Sequence, residues 1–116
     1  IDKIREKGCK VGMSIKPNTD VEAILDFVSE LDLVLVMSVE PGKGGQGFLS
    51  NSLEKISILR KFIDDHGLST LVEVDGGINE ETGKQCVEAG VDVLVAGTYL
   101  YGHKDFVSRL KGLLNL

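Results

Sequence analysis

The chain alternates short apolar runs with amphipathic segments, and this alternation restricts its fold more than any other feature. The runs are VGMSIK, LVLVMSV, STLVEVDGG and VDVLVAGT, at 11–16, 33–39, 69–77 and 91–98. Apolar residues recur at helical spacing in the segments that follow, 21–31, 52–67, 79–90 and 105–116. Strands that alternate with helices over short connections form parallel sheets with right-handed crossovers. The sequence therefore predicts an α/β fold, either a small doubly wound sheet or half of an eight-unit barrel.

Local signals add detail to this plan. Asn79 and Gly90 are suited to begin and end the third helix, and Thr19 or Asp20 to begin the first. The strands are mostly apolar, which is typical of a sheet covered on both faces. The opening segment IDKIREKG has the pattern of the end of a helix, stopped by Gly8. We therefore expect the chain to be a fragment of a longer protein.

Composition excludes several classes of function. A length of 116 residues is in the range of one domain, and the net charge of −5 argues against a dedicated nucleic-acid or acidic-membrane surface. The two cysteines, Cys9 and Cys86, suggest neither a disulfide framework nor a paired metal site. The apolar runs are far shorter than the roughly 20 residues of a membrane span. With no signal peptide in the sequence, a cytoplasmic location is expected.

Residues suited to chemistry follow three of the predicted strands. In either architecture ligands bind at the carboxyl ends of the strands. The segment EPGKGGQGF (40–48) is either a phosphate cradle or a mobile surface loop. In EVDGG, Asp75 can be interpreted as a general acid/base, as a metal ligand or as a residue that caps a turn or the following helix. Gly97 and Thr98 end the last strand, and glycine-bearing loops after two consecutive strands resemble the phosphate site of eight-unit barrels.

Four segments, in order and spacing, closely resemble the ribulose-phosphate 3-epimerase family. They are KVGMSIKPNTDVEAI, VLVMSVEPGKGGQGF, LVEVDGGINEET and AGVDVLVAGT. The resemblance covers essentially the whole chain. It implies that residues 1–116 are a single partial domain, the C-terminal half (strand–helix units 5–8) of a ribulose-phosphate-binding (β/α)8 TIM barrel.

The resemblance also implies an activity and a cofactor. The family interconverts D-ribulose 5-phosphate and D-xylulose 5-phosphate in the pentose phosphate pathway of carbohydrate metabolism, an isomerase reaction assisted by one divalent metal ion (zinc, iron, manganese or cobalt). Asp75 matches the family's aspartate that is both metal ligand and proton carrier. The opposing aspartate and two metal-binding histidines of the family would lie in the other half. The isolated chain is therefore expected to be inactive.

The remaining site residues are also assigned by the resemblance. The residues matching the family's phosphate contacts are Gly42, Lys43, Gly44, Gly45, Gly76, Gly77, Gly97 and Thr98, and Met37 matches a methionine that lines the pocket. Lys43 replaces an aromatic or apolar residue, and Thr98 replaces a serine. The implied partners are a phosphorylated ketose and, in a homo-oligomer, further copies of the protein, with no nucleic acid and no membrane. A hexulose-phosphate (allulose 6-phosphate) 3-epimerase and a non-catalytic phosphate-binding half-barrel module stay open as alternatives.

Overall fold

Four parallel strands form one sheet in the computed structural model, which describes residues 2–38, 51–96 and 106–115. The strands lie side by side in chain order, from β1 to β4. Their bounds are Gly12–Ile15 for β1, Leu33–Met37 for β2, Leu71–Asp75 for β3 and Val93–Val95 for β4. Each lies inside one of the predicted apolar runs, so the predicted parallel α/β sheet is confirmed.

The register brings the carboxyl ends of three strands level with one another. Met37 pairs with Asp75 across β2 and β3, and Asp75 pairs with Val95 across β3 and β4. On the other side of β2, Ile15 pairs with Val36. The segments that leave these strands therefore start from the same edge of the sheet.

The helices have the bounds Asp2–Glu6 for α1, Asn51–Asp65 for α2, Glu80–Ala89 for α3 and Phe106–Leu114 for α4. The predicted ends of α3 are confirmed. Asn79 Oδ1 accepts the Thr82 backbone N–H at 2.9 Å, and the Thr82 hydroxyl accepts the Asn79 N–H at the same distance. Gly90 follows α3 in the left-handed region, at φ 115°. Within the described ranges, no helix combines the length and apolarity needed to cross a membrane.

The segment 21–31, predicted as one helix, instead forms two 3₁₀ segments, Val21–Ala23 and Leu25–Glu30. The apolar residues explain why the spacing was misleading. Val21 lies three residues before Ile24, and Val28 three before Leu31; this interval suits a 3₁₀ helix, in which residues i and i+3 eclipse, as well as an α-helix. Val21, Ile24, Val28 and Leu31 are buried in this conformation, whereas Phe27 in the same segment is 45% exposed. Asp20 occupies the predicted N-cap position, but its side chain makes no capping hydrogen bond.

The helical layer covers one face of the sheet and leaves the other open in the described part of the chain. Val34, Val36, Val72 and Val74 are fully buried against the helical side. Alternate residues of the same strands lie on the opposite face, where Leu71 is 45% exposed. The apolar strands had predicted coverage on both faces; the described residues supply it for one only.

Candidate functional site

Asp75 is the last residue of β3 and is exposed to solvent. It lies on the open face, because it shares the strand parity of Leu71 and Glu73 while the intervening Val72 and Val74 are buried. Its carboxylate is therefore accessible at the carboxyl edge, where parallel sheets bind ligands. An exposed strand-end carboxylate suits proton transfer or metal coordination, both of which were predicted. Within residues 2–38, 51–96 and 106–115, the Asp75 side chain makes no capping hydrogen bond.

Met37 lies beside Asp75 on the neighbouring strand. The two are register partners, and parallel strands lie about 4.8 Å apart. Met37 is half-buried and shares the open face with Asp75. The structure thus brings together two of the predicted site residues, an apolar side chain next to a carboxylate.

Gly76 and Gly77 turn the chain sharply from β3 toward α3. Their φ angles are 122° and 67°, a region that side-chain-bearing residues rarely adopt. The Gly77 carbonyl oxygen accepts the Thr82 hydroxyl at 2.8 Å, which ties the turn to the first turn of α3. A glycine turn that leads into a helix N-terminus is suited to an anion, since it offers backbone N–H groups and the positive end of the helix dipole. The phosphate role predicted for both glycines stays a prediction.

Ser38 is a residue of this edge that sequence reasoning missed. It directly follows β2 and is fully buried. Its hydroxyl donates to the carbonyl oxygens of Asp75, at 3.0 Å, and of Gly76. Strand parity could have identified it. Ser38 continues the alternation of Val34 and Val36, so this polar side chain was expected on the buried face, where it needs a hydrogen-bond partner.

The other predicted site residues lie outside the described residues. These are Gly42, Lys43, Gly44 and Gly45 in the first glycine segment and Gly97 and Thr98 after β4. The last described residue before Gly42 is Ser38, and the last before Gly97 is Ala96. Both lie at the carboxyl edge of the sheet. Their predicted roles stay predictions.

Of the side chains that could bind the implied divalent metal ion, the described ranges contain one at the predicted site, Asp75. Asp75 supplies an exposed carboxylate, a ligand type that divalent ions accept. A protein metal site ordinarily uses three or more such side chains. Among residues 2–38, 51–96 and 106–115, no three His, Cys, Asp or Glu residues gather to form one. Asp75 therefore fits as a single ligand, and the remainder of a site would have to come from elsewhere.

Comparison with solved structures supports the architecture. The chain matches the crystal structure of 3-hexulose-6-phosphate synthase with a TM-score of 0.63 and 21% sequence identity, covering 97% of this chain and 52% of that one. At this identity the likeness extends to the fold and not to the activity.

Sequence comparison identifies much nearer relatives. The ribulose-phosphate 3-epimerase of Mycobacterium tuberculosis (strain ATCC 25618 / H37Rv) is 51% identical over 110 residues, covering 95% of this chain and 48% of the relative. Those of Schizosaccharomyces pombe (strain 972 / ATCC 24843) and Bacillus subtilis (strain 168) are 47% and 42% identical, covering 99% and 97% of this chain and 49% and 54% of the relatives. The chain thus spans about half the length of the curated relatives it matches.

The profile of the family described as "Ribulose-phosphate 3 epimerase family" matches residues 1–101. This range contains every predicted site residue and all four strands. The chain belongs to the ribulose-phosphate 3-epimerase family.

Proposed function

We propose that this chain is the C-terminal half, units 5–8, of a (β/α)8 barrel that interconverts D-ribulose 5-phosphate and D-xylulose 5-phosphate. One observation carries the proposal: the exposed carboxylate of Asp75 at the carboxyl end of β3, followed at once by two left-handed glycines. In a (β/α)8 barrel this edge would carry the catalytic residues, which supports the proposal. A relative named ribulose-phosphate 3-epimerase is 51% identical over 95% of this chain. In this proposal residues 1–116 are one partial domain, completed by four further strand–helix units.

The reaction inverts the configuration at C3 of a 2-ketose. The C3 proton is acidified by the adjacent carbonyl, so one carboxylate removes it from one face and a second group returns a proton to the other. Asp75 is the proposed proton carrier for one face. The open face of the sheet would form part of the barrel interior, and the group serving the opposite face would come from the other half.

The substrate is held by its phosphate in this proposal. The contacts are assigned to backbone N–H groups and to the side chains of Lys43 and Thr98, in the segments that follow three of the strands: Gly42, Lys43, Gly44, Gly45, Gly76, Gly77, Gly97 and Thr98. Support comes from Gly76 and Gly77, whose positive φ angles allow backbone N–H groups to approach an anion without an intervening side chain. Anchoring the phosphate aligns C3 with the proton carriers. Met37, the register partner of Asp75, would provide an apolar wall beside the reacting carbons.

A divalent metal ion belongs to the same proposal, with Asp75 as one ligand. When bound, such an ion stabilises negative charge that develops on the substrate oxygens. Asp75 then combines two tasks in one exposed carboxylate, holding the ion and carrying the proton. Its register partner Met37 is uncharged, so β2 places no charged strand residue directly beside Asp75. The cytoplasmic location and the homo-oligomeric state stay predictions of this proposal.

The test is a substrate comparison with the complete protein that carries these residues. Conversion of ribulose 5-phosphate and of allulose 6-phosphate is followed in parallel, before and after chelation and after readdition of zinc, iron, manganese or cobalt ions. We expect faster turnover of the pentulose phosphate, lost on chelation and restored by an ion. Preference for allulose 6-phosphate would favour the hexulose-phosphate epimerase. Binding of inorganic phosphate without turnover of either sugar would favour a non-catalytic module.

A further inference from the structure

Ser38 holds the backbone of the two residues that end β3. Its single hydroxyl hydrogen is shared between the Asp75 carbonyl oxygen, at 3.0 Å, and the Gly76 carbonyl oxygen. Its backbone N–H donates to the same Asp75 oxygen at 2.9 Å. Ser38 is fully buried, so water does not compete for these hydrogen bonds. The peptide groups before and after Gly76 are therefore both tied to the end of β2.

These contacts restrain the Asp75 side chain because each peptide group is rigid and planar. The plane that contains the Asp75 carbonyl also contains the Asp75 Cα, so holding the carbonyl limits how that Cα can turn. The next residue is Gly76, at φ 122°. Because glycine has the most freely varying backbone dihedral angles of any residue, Gly76 itself does little to fix the orientation of the Asp75–Gly76 peptide. Without the hydroxyl, the Asp75–Gly76 peptide keeps only the single backbone bond from Ser38 on this side.

The turn has a second and independent anchor beyond Gly76. The Thr82 hydroxyl donates to the Gly77 carbonyl oxygen at 2.8 Å, and Thr82 is itself held by Asn79 in the capping box. The start of α3 therefore keeps its attachment when Ser38 changes. Loss of the Ser38 hydroxyl should act on the Asp75 end of the turn and not on its helix end.

We propose that Ser38 is a positioning residue for Asp75, acting through the backbone to keep the carboxylate aligned with the reacting carbon. The inference rests on the proposed function, in which Asp75 carries a proton. A misplacement of about 1 Å costs on the order of 100-fold in rate. Removing the hydroxyl is therefore expected to lower kcat much more than it raises KM, because Gly76 is a proposed phosphate contact that this hydroxyl holds, whereas Gly77 keeps its own anchor at Thr82.

The chain offers a matched control at the opposite edge of the sheet. Thr70 is also buried, and its hydroxyl donates to two carbonyl oxygens, those of Val28 at 3.0 Å and Leu31 at 2.8 Å. It directly precedes β3, whereas Asp75 ends it. Thr70→Val removes a bridging hydroxyl of the same kind at nearly constant size, far from the proposed reacting groups.

The experiment measures kcat, KM and thermal unfolding for Ser38→Ala, Ser38→Thr and Thr70→Val in the complete protein, with ribulose 5-phosphate as substrate. Both hydroxyl deletions should lower the unfolding temperature. Only Ser38→Ala should lower kcat, by about 10- to 100-fold, with KM within about threefold of the unmutated value. Ser38→Thr, which restores a hydroxyl, should recover most of the kcat. Amide hydrogen exchange at Gly76 should be faster in Ser38→Ala and unchanged in Thr70→Val.

Two results would overturn the positioning role. One is a kcat for Ser38→Ala within about twofold of that for Thr70→Val; the other is a kcat that stays low in Ser38→Thr although its unfolding temperature has recovered. If Ser38→Ala does not fold, Ser38→Cys takes its place, since a thiol is a weaker donor, and an unchanged kcat then counts against the role. If the unmutated protein has no epimerase activity, the proposed function is wrong. Amide exchange at Gly76 is measured independently of activity, so faster exchange in Ser38→Ala would still show that Ser38 restrains this backbone.

Discussion

Met37 and Asp75 are register partners at the carboxyl ends of adjacent parallel strands. Both lie on the sheet face that the helices leave open, so an apolar side chain stands next to an exposed carboxylate. The pairing gives Asp75 an uncharged neighbour on the β2 side. This arrangement suits a residue that must exchange a proton with a carbon atom, because no adjacent charge from β2 competes for that proton.

Asp75→Asn should lower the epimerisation rate by about 10²- to 10⁴-fold, the usual contribution of a positioned acid/base group. The amide has nearly the same size but does not carry the proton. The measurement is incorporation of solvent deuterium at C3, which registers each exchange separately from net turnover. Exchange on one face is expected to continue slowly while epimerisation stops. The control is Asp26→Asn, at an exposed position in a 3₁₀ segment; a near-normal rate in Asp75→Asn would exclude Asp75 from the mechanism.

Gly90→Ala should destabilise the protein by about 1–3 kcal/mol. At φ 115°, a Cβ at this position would lie 2.5 Å from Arg60 Cγ and 2.7 Å from Arg60 Cβ. The matched control is Gly67→Ala, also at positive φ (61°) but with nothing within 4 Å of the added Cβ. This control should cost only the conformational strain, about 1 kcal/mol. Equal losses in urea unfolding would mean that Arg60 moves aside freely.

Asp92→Ala should lower the free energy of unfolding by about 1–3 kcal/mol. Asp92 Oδ2 accepts the Val72 N–H at 2.9 Å and the Arg60 guanidinium at 3.2 Å, so one carboxylate joins β4, β3 and α2. Removing it leaves a strand-end donor without its partner.

The control for Asp92 is Asp64→Ala, which removes the other carboxylate near Arg60. Asp64 is 65% exposed and lies 4.0 Å from Arg60, so its loss should cost about 0.5 kcal/mol or less. Chemical denaturation of both variants measures the difference. A loss at Asp64 as large as that at Asp92 would assign the stability to the Arg60 ion pairs and not to the strand hydrogen bond.

Cys86 gives the protein a pH dependence at alkaline pH. Burial raises the pKa of the Cys86 thiol to about 11 from an ordinary value of 9.0. The folded state therefore keeps the neutral thiol while the unfolded chain ionises, so this contribution is fully present below pH 9 and is lost as pH rises toward 11. The loss should approach roughly 3 kcal/mol relative to Cys86→Ala.

The measurement for Cys86 is urea unfolding of the two proteins between pH 8 and pH 11. A thiol reagent at pH 8 provides a second readout: the exposed Cys9 should react in the folded protein, and Cys86 only after unfolding. A constant difference in stability across the pH range, or fast labelling of Cys86 in the folded state, would contradict the prediction.

The four strands, the bounds of α2 and α3 and the cap at Asn79 were predictable because each depends on residues close in sequence. Periodicity, propensity and capping act within a few positions, and Asn79 meets its partner Thr82 three residues away. The position of Asp75 at a strand end followed from the same local pattern. The sequence by itself therefore determined the α/β class and the candidate carboxylate.

Tertiary structure alone decided how these parts meet. Ser38 contacts Asp75 across 37 residues, and Thr70 contacts Val28 across 42, distances over which local patterns carry no information. The intervals of three between Val21 and Ile24 and between Val28 and Leu31 suit two helix types, and only the folded chain, in which these segments pack against α2, shows 3₁₀ segments in place of the predicted helix. Strand parity indicated that Ser38 would be buried, but only the folded register supplied its partners, because a hydrogen bond forms between groups that are close in space, whatever their separation along the chain.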